Sequence, residues 1–181
     1  SFRADHLRFT RNLQNSNNVF TMTGATGFSA EGLGSVSATF GTAAANGNPG
    51  TTGLVITNGS LTSLDMSLTS NISVASVGFS TDGLRFTYQS SANQFTLGGS
   101  AIATVGGVGN MDVIFGYTDG GVTSPGLVVK NGSLVNLDMT VNSSISVGQV
   151  GFDTTGLRFT YTQSTQTYTL GGSAGISVGG T

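Results

Sequence analysis

Leu84-Arg-Phe-Thr-Tyr88 alternates apolar and polar residues, and the same stretch returns as Leu157-Arg-Phe-Thr-Tyr161, 73 positions later. Period-two alternation puts Leu84, Phe86 and Tyr88 on one face of an extended strand, with Arg85 and Thr87 on the other. Working outward, the segments on both sides repeat in the same register. Gly53-Leu-Val-Ile-Thr-Asn-Gly-Ser-Leu61 returns as Gly126-Leu-Val-Val-Lys-Asn-Gly-Ser-Leu134, Leu64-Asp-Met66 as Leu137-Asp-Met139, and Phe95-Thr-Leu-Gly-Gly-Ser-Ala101 as Tyr168-Thr-Leu-Gly-Gly-Ser-Ala174. The N-terminal part belongs to the same series: Leu7-Arg-Phe-Thr10 matches Leu84-Arg-Phe-Thr87, and Gly32, Gly34, Phe40 and Gly41 align on Gly107, Gly109, Phe115 and Gly116. The chain is one continuous array: a partial first repeat over 1–52, a complete repeat over 53–125 and a partial repeat over 126–181. It opens and closes in mid-unit, so it reads as a processed protein or a piece of a longer array.

Fixed-period repetition implies units that bury their apolar faces against neighbours instead of each closing a core. Other short runs, such as Val113-Ile-Phe115 and Leu137-Asp-Met-Thr-Val141, also read as strands, and no window shows helical apolar spacing. Asn58-Gly59, Asn131-Gly132, Asp82-Gly83, Gly98-Gly99 and Asp119-Gly-Gly121 read as tight turns. The predicted class is all-β. A weaker half-repeat separates Gly53-Leu54 from Gly83-Leu84, and Gly126-Leu127 from Gly156-Leu157, by 30 positions. It favours a β-solenoid whose 73-residue unit is two unequal coils, of 30 and 43 residues, with tandem small β-sandwiches as the alternative. Such a rod needs its ends covered. Arg3, Asp5, His6, Arg8 and Arg11 can blunt the N-terminal end, whereas Gly179-Gly-Thr181 offers no protection.

Charged residues are only 8% of the chain, the net charge is −2, and 29 of 181 residues are Gly. So little charge gives weak colloidal repulsion and favours association. No basic patch argues for nucleic acid, and no apolar run reaches the length of a membrane helix. The absence of cysteine excludes disulfides and thiolate metal sites. Abundant Ser, Thr, Asn and Gly with few Lys and Glu suit a secreted or cell-surface material.

The candidate ligand rows are Asp65 and Asp138, and Arg8, Arg85 and Arg158, all at polar strand positions. The acids can sit on a solvated outer face, bind a cation or flank a glycosidic bond; the arginines can read acidic glycans or pair with the acids. His6 has no copy and reads as an exposed end residue. Asp82, Asp119 and Asp153 suit turns and lack the dense spacing of calcium-binding roll repeats, so calcium stays open but unsupported and no other cofactor is expected. Rows of Thr around Thr160–Thr169 break in the preceding copy, at Gln89, Ser90 and Asn93, which argues against an ice-binding face. Asn58, Asn71, Asn131 and Asn142 head N-glycosylation tripeptides.

The Gly-Leu-x-Phe-Thr-Tyr strand, the Tyr-Thr-Leu-Gly-Gly-Ser-Ala segment and the Gly/Ser/Thr/Asn-rich links resemble the tandem repeats of very large bacterial surface and secreted proteins, adhesin-like or matrix-forming. That resemblance implies a β-solenoid or related all-β fold and an extracellular structural or adhesive role. It brings no active site. The expectation is a non-enzymatic repeat that self-assembles end to end, or adjoins further repeats, as a filament, biofilm matrix component or adhesin stalk. The alternative is a glycan-binding or glycan-cleaving β-helix built on the Asp and Arg rows.

Overall fold

The computed structural model describes residues 1–14, 16–42, 50–119 and 122–179. They form strands and connecting turns, with no helix. The strands are β1 (Phe2–Gln14), β2 (Asn17–Ala30), β3 (Gly34–Thr42), β4 (Thr51–Thr52), β5 (Leu54–Thr57), β6 (Ser60–Val74), β7 (Val77–Gln89) and β8 (Gln94–Val105). They continue as β9 (Gly109–Phe115), β10 (Tyr117–Asp119), β11 (Val122–Ser124), β12 (Leu127–Lys130), β13 (Ser133–Val147), β14 (Val150–Thr162) and β15 (Thr167–Val178). Residues 120, 121, 180 and 181 of the expected Asp119-Gly-Gly121 turn and C-terminal Gly179-Gly-Thr181 lie outside the described residues.

All but two strands, β10 and β11, join one 13-stranded sheet. Its organisation becomes simple once β3 and β5 are read together. β2 pairs with β5 through Val19–Met22 and with β3 through Gly24–Ala30, while β6 pairs with the same two strands on their other side. These four pairings close a ring on paper. In space β3 and β5 lie end to end and fill one slot between β2 and β6. β9 and β12 fill the equivalent slot between β8 and β13. The sheet is therefore a meander of ten rungs: β1, β2, β3 with β5, β6, β7, β8, β9 with β12, β13, β14 and β15. At about 4.8 Å per rung it spans roughly 43 Å.

Every ladder is antiparallel, and the long strands are joined by short hairpins. Stacked coils would instead pair strands a coil apart in parallel, so the meander takes the place of the expected solenoid coils, and among the described residues the other sheet is the two-stranded β10–β11 ribbon alone. The 30-residue half-repeat is the length of two rungs, up and back. The 43-residue half contains the interrupted rung, which breaks off after Gly41 or Gly116 and resumes at Gly53 or Gly126. The returning backbone passes so close that a Cβ on Gly53 would lie 2.4 Å from Phe40 C and Cβ, and one on Gly126 2.5 Å from Phe115 Cβ. Real Cβ atoms do not approach so closely, so both return points must be glycine.

One face carries the apolar residues. Met66, Phe86, Leu97, Leu127, Leu137, Tyr161 and Tyr168 are successive partners across six ladders, forming a stripe that crosses much of the sheet. Among the described residues no second layer covers it. Among the described residues no side chain is fully buried, and Val128 is the one buried hydrophobic residue. The surface is 11225 Å², where a compact monomer of this mass would expose about 8,100 Å². The fold is an open, single-layer sheet.

Asp82-Gly83 and Gly98-Gly99, expected as turns, lie inside β7 and β8. The ladder between these strands shifts register from Asp82 to Arg85. Gly83 (φ 59°) and Gly156 (φ 58°) adopt left-handed backbone at these bulges, a use of glycine as common as a turn.

Candidate functional site

The polar face holds two copies of a clamp. In the β6–β7 ladder Asp65 stands opposite Thr87 and Ser67 opposite Arg85, so Asp65 and Arg85 meet on a diagonal between neighbouring strands. Arg85 Nε donates to Asp65 Oδ1 at 2.7 Å and Nη2 to Oδ2 at 2.6 Å. The β13–β14 copy repeats it: Arg158 Nε donates to Asp138 Oδ1 at 2.8 Å and Nη2 to Oδ2 at 2.7 Å. Bidentate guanidinium–carboxylate contacts of this kind are the strong, geometrically specific members of the hydrogen-bond family.

The clamp has a place in the fold that its sequence does not announce. Asp65 lies opposite the gap in the interrupted rung. Its backbone N–H donates to Gly53 O at 2.5 Å, and its Oδ2 also accepts from Thr51 Oγ1 at 2.5 Å. In the second copy Asp138 N–H donates to Gly126 O at 2.6 Å, and Asp138 O accepts from Gly116 N–H at 2.9 Å. Each acid thus ties the returning chain to the strand that bridges the break.

Both acids are buried, Asp65 to 7% and Asp138 to 3% exposure, while the arginines remain partly exposed. The hydrogen bonds from Arg85 hold the Asp65 carboxyl below the usual carboxylate range, against burial, with the Thr51 hydroxyl adding to the lowering. The reciprocal contact raises Arg85. A solvated outer face for Asp65 and Asp138 is therefore not what forms. Acids and arginines share one face, and each carboxylate accepts from its arginine through both oxygens.

Arg8 is the third arginine of the row. Its pairing with Thr23 matches that of Arg85 with Gly98, and the neighbouring Thr10–Thr21 hydroxyl contact reappears as Thr87–Thr96 and Thr160–Thr169. Arg8 is exposed and, among the described residues, forms no ion pair. The one acid of its strand, Asp5, is held by His6 Nδ1 at 2.6 Å and Arg3 Nη2 at 3.9 Å. His6, exposed as expected, sits at φ 50°, where the other repeats have Gly83 and Gly156.

Two features escaped the reading of residues. Ser70 and Thr81 form a buried hydroxyl pair at 3.0 Å beside the β6–β7 bulge, with Thr81 Oγ1 donating to Leu68 O; Ser143 and Thr154 repeat it at 2.9 Å. The signal was available in their recurrence at a spacing of 73. The glycosylation asparagines also have structural uses: Asn58 Oδ1 accepts from Asn18 N–H and its Nδ2 donates to Asn17 Oδ1, and Asn142 Oδ1 accepts from Gly156 N–H. Asp82 and Asp153 lie in the strands β7 and β14, and the side chain of Asp119 is outside the described residues. Among the described residues no group of three His, Asp or Glu side chains stands together as a metal site would require.

The class defined by these observations is an all-β repeat protein with a single-layer antiparallel sheet. Comparison with protein-family models, curated proteins and solved structures returned no match.

Proposed function

We propose that this chain is a non-enzymatic structural repeat, secreted or held at a cell surface, whose sheet grows edge to edge into a fibre or the stalk of an adhesin. The observation that carries the reading is its pair of long open edges. Among the described residues β1, 13 residues long, pairs with β2 alone, and β15, 12 residues long, with β14 alone. An edge of this length offers a row of unpaired backbone groups to another strand. The side chains support the same reading. Tyr168 and Leu170 on β15 are 74% and 65% exposed, whereas their copies Phe95 and Leu97 are half-buried because β12 lies beside β8. Growth in this form adds antiparallel rungs to one sheet, the part that stacked coils play in a solenoid. The Asp–Arg clamps hold each unit together and need no cofactor.

The test is negative-stain electron microscopy over a concentration series, with fibre diffraction for the strand spacing of about 4.7–4.8 Å. Filaments that lengthen with concentration are expected. Particles of unchanged size at every concentration would overturn the fibre form and leave the stalk form.

A further inference from the structure

The apolar face of the sheet has the size and chemistry of half an interface: we infer that two copies of this chain pair through it, face to face, into a two-layer sandwich. The inference concerns the face of the interior rungs and not the edges. Area is the first argument. Ten rungs at about 4.8 Å and a 13-residue strand such as β7 at about 3.3 Å per residue give a face roughly 43 Å square, or about 1,800 Å². Each partner in a stable complex buries about 800 Å². Two twisted sheets cross at about 30°, and overlap of half the face is enough.

The chemistry of the face suits a dry contact. Among the described residues of the sheet strands, alternation along the ladders sets one charged side chain on this face, Arg11, whose Nε donates to Asn18 Oδ1 at 2.8 Å in the β1–β2 hairpin. The buried hydroxyls among the apolar residues bond each other, Ser70 with Thr81 and Ser143 with Thr154, and reach the carbonyls of Leu68 and Val141. A second layer covers them without stripping a hydrogen bond to water. The repeat selects a second copy as that layer. Phe40, Met66 and Phe86 stand on successive rungs and return as Phe115, Met139 and Phe159, four rungs or roughly 19 Å further on. A second copy carries the same spacing, so it matches both rows at once about a two-fold axis.

The chain carries its own probes. All four methionines, Met22, Met66, Met111 and Met139, lie on this face, in β2, β6, β9 and β13, so pairing at the edge strands leaves them uncovered. The experiment oxidises the full chain with dilute hydrogen peroxide over a concentration series and reads the initial rate at each methionine by peptide mass spectrometry. Met66 and Met139 are expected to oxidise readily at low concentration, and about tenfold more slowly where about nine-tenths of the chains are paired. Rapid oxidation at every concentration would overturn the inference. So would slow oxidation independent of concentration, which means that the chain covers the face itself. Fibre diffraction separates this inference from the edge-to-edge reading, because stacked sheets add a spacing of about 10 Å to that of about 4.7–4.8 Å between strands. Filaments that lack the wider spacing and leave the methionines unprotected sink the face pairing and keep the edge-to-edge growth. Dimers that protect the methionines and never lengthen keep the face pairing and sink the fibre.

Discussion

Asp65 and Arg85 close on each other across a strand boundary with two parallel hydrogen bonds, the acid buried and the guanidinium half in solvent. The same residue ties the returning chain, its carboxylate accepting from Thr51 Oγ1 and its backbone N–H donating to Gly53 O. Arg85→Ala should therefore cost about 2–4 kcal/mol in urea unfolding, since it leaves a buried carboxylate with only a hydroxyl partner; solvent at Arg85 sets the lower end. Because Arg85 lowers the Asp65 pKa in the folded state, the clamp contributes fully above the ordinary carboxyl pKa of about 3.9 and is lost as pH falls through the lower folded value. On acidification from pH 7 the native chain should lose more stability than Asp65→Asn. Parallel pH profiles for the two proteins would refute this.

Gly126→Ala and Gly132→Ala separate two kinds of glycine. A Cβ at position 126 would meet Phe115 and Gly116 backbone at 2.6–2.7 Å, whereas at 132 it meets nothing within 4 Å and only the positive φ of 74° opposes it. The first change should cost about 3 kcal/mol or more, the second about 1 kcal/mol. Thermal melts followed by circular dichroism rank them.

Ala75 holds φ at 54° in the β6–β7 hairpin, where the next repeat places Gly148 at 63°. Ala75→Gly should raise stability by about 0.5–1 kcal/mol and Gly148→Ala lower it by about 1 kcal/mol. Opposite shifts of the urea midpoint at constant slope are the expected result.

The Ser70–Thr81 pair predicts non-additivity. Thr81→Val strands the Ser70 hydroxyl and the Leu68 carbonyl and should cost about 1–2 kcal/mol. Adding Ser70→Ala should cost less than the sum of the single changes. A strictly additive cycle would mean that the hydroxyl contact contributes nothing.

The alternation in Leu84-Arg-Phe-Thr-Tyr88 was enough to assign strands, to separate the apolar face from the polar one and to offer Arg85 and Asp65 as partners. The path between strands was less legible, because a 73-residue spacing fits two coils or four rungs equally well. The deciding cue lay in connections such as Asn58-Gly59 and Ala75-Ser76, which are too short to join parallel strands. Glycine pairs misled for a related reason: positive φ serves a bulge inside β7 as well as a turn at its end. Burial of Asp65 and Asp138 could not be read at all, since it depends on the chain returning beside them after an excursion.

Those excursions leave and rejoin the sheet at nearly one point. Gly53 follows Gly41 by 12 positions and Gly126 follows Gly116 by 10, yet the ladders on either side are the same. The flanking strands thus accept stretches of different length between the two glycines, because a few more residues in a loop cost little closure entropy. Four rungs separate the two openings, roughly 19 Å at about 4.8 Å per rung. An array of such units would act as a ruler with evenly spaced sockets, each able to hold an insert of its own length.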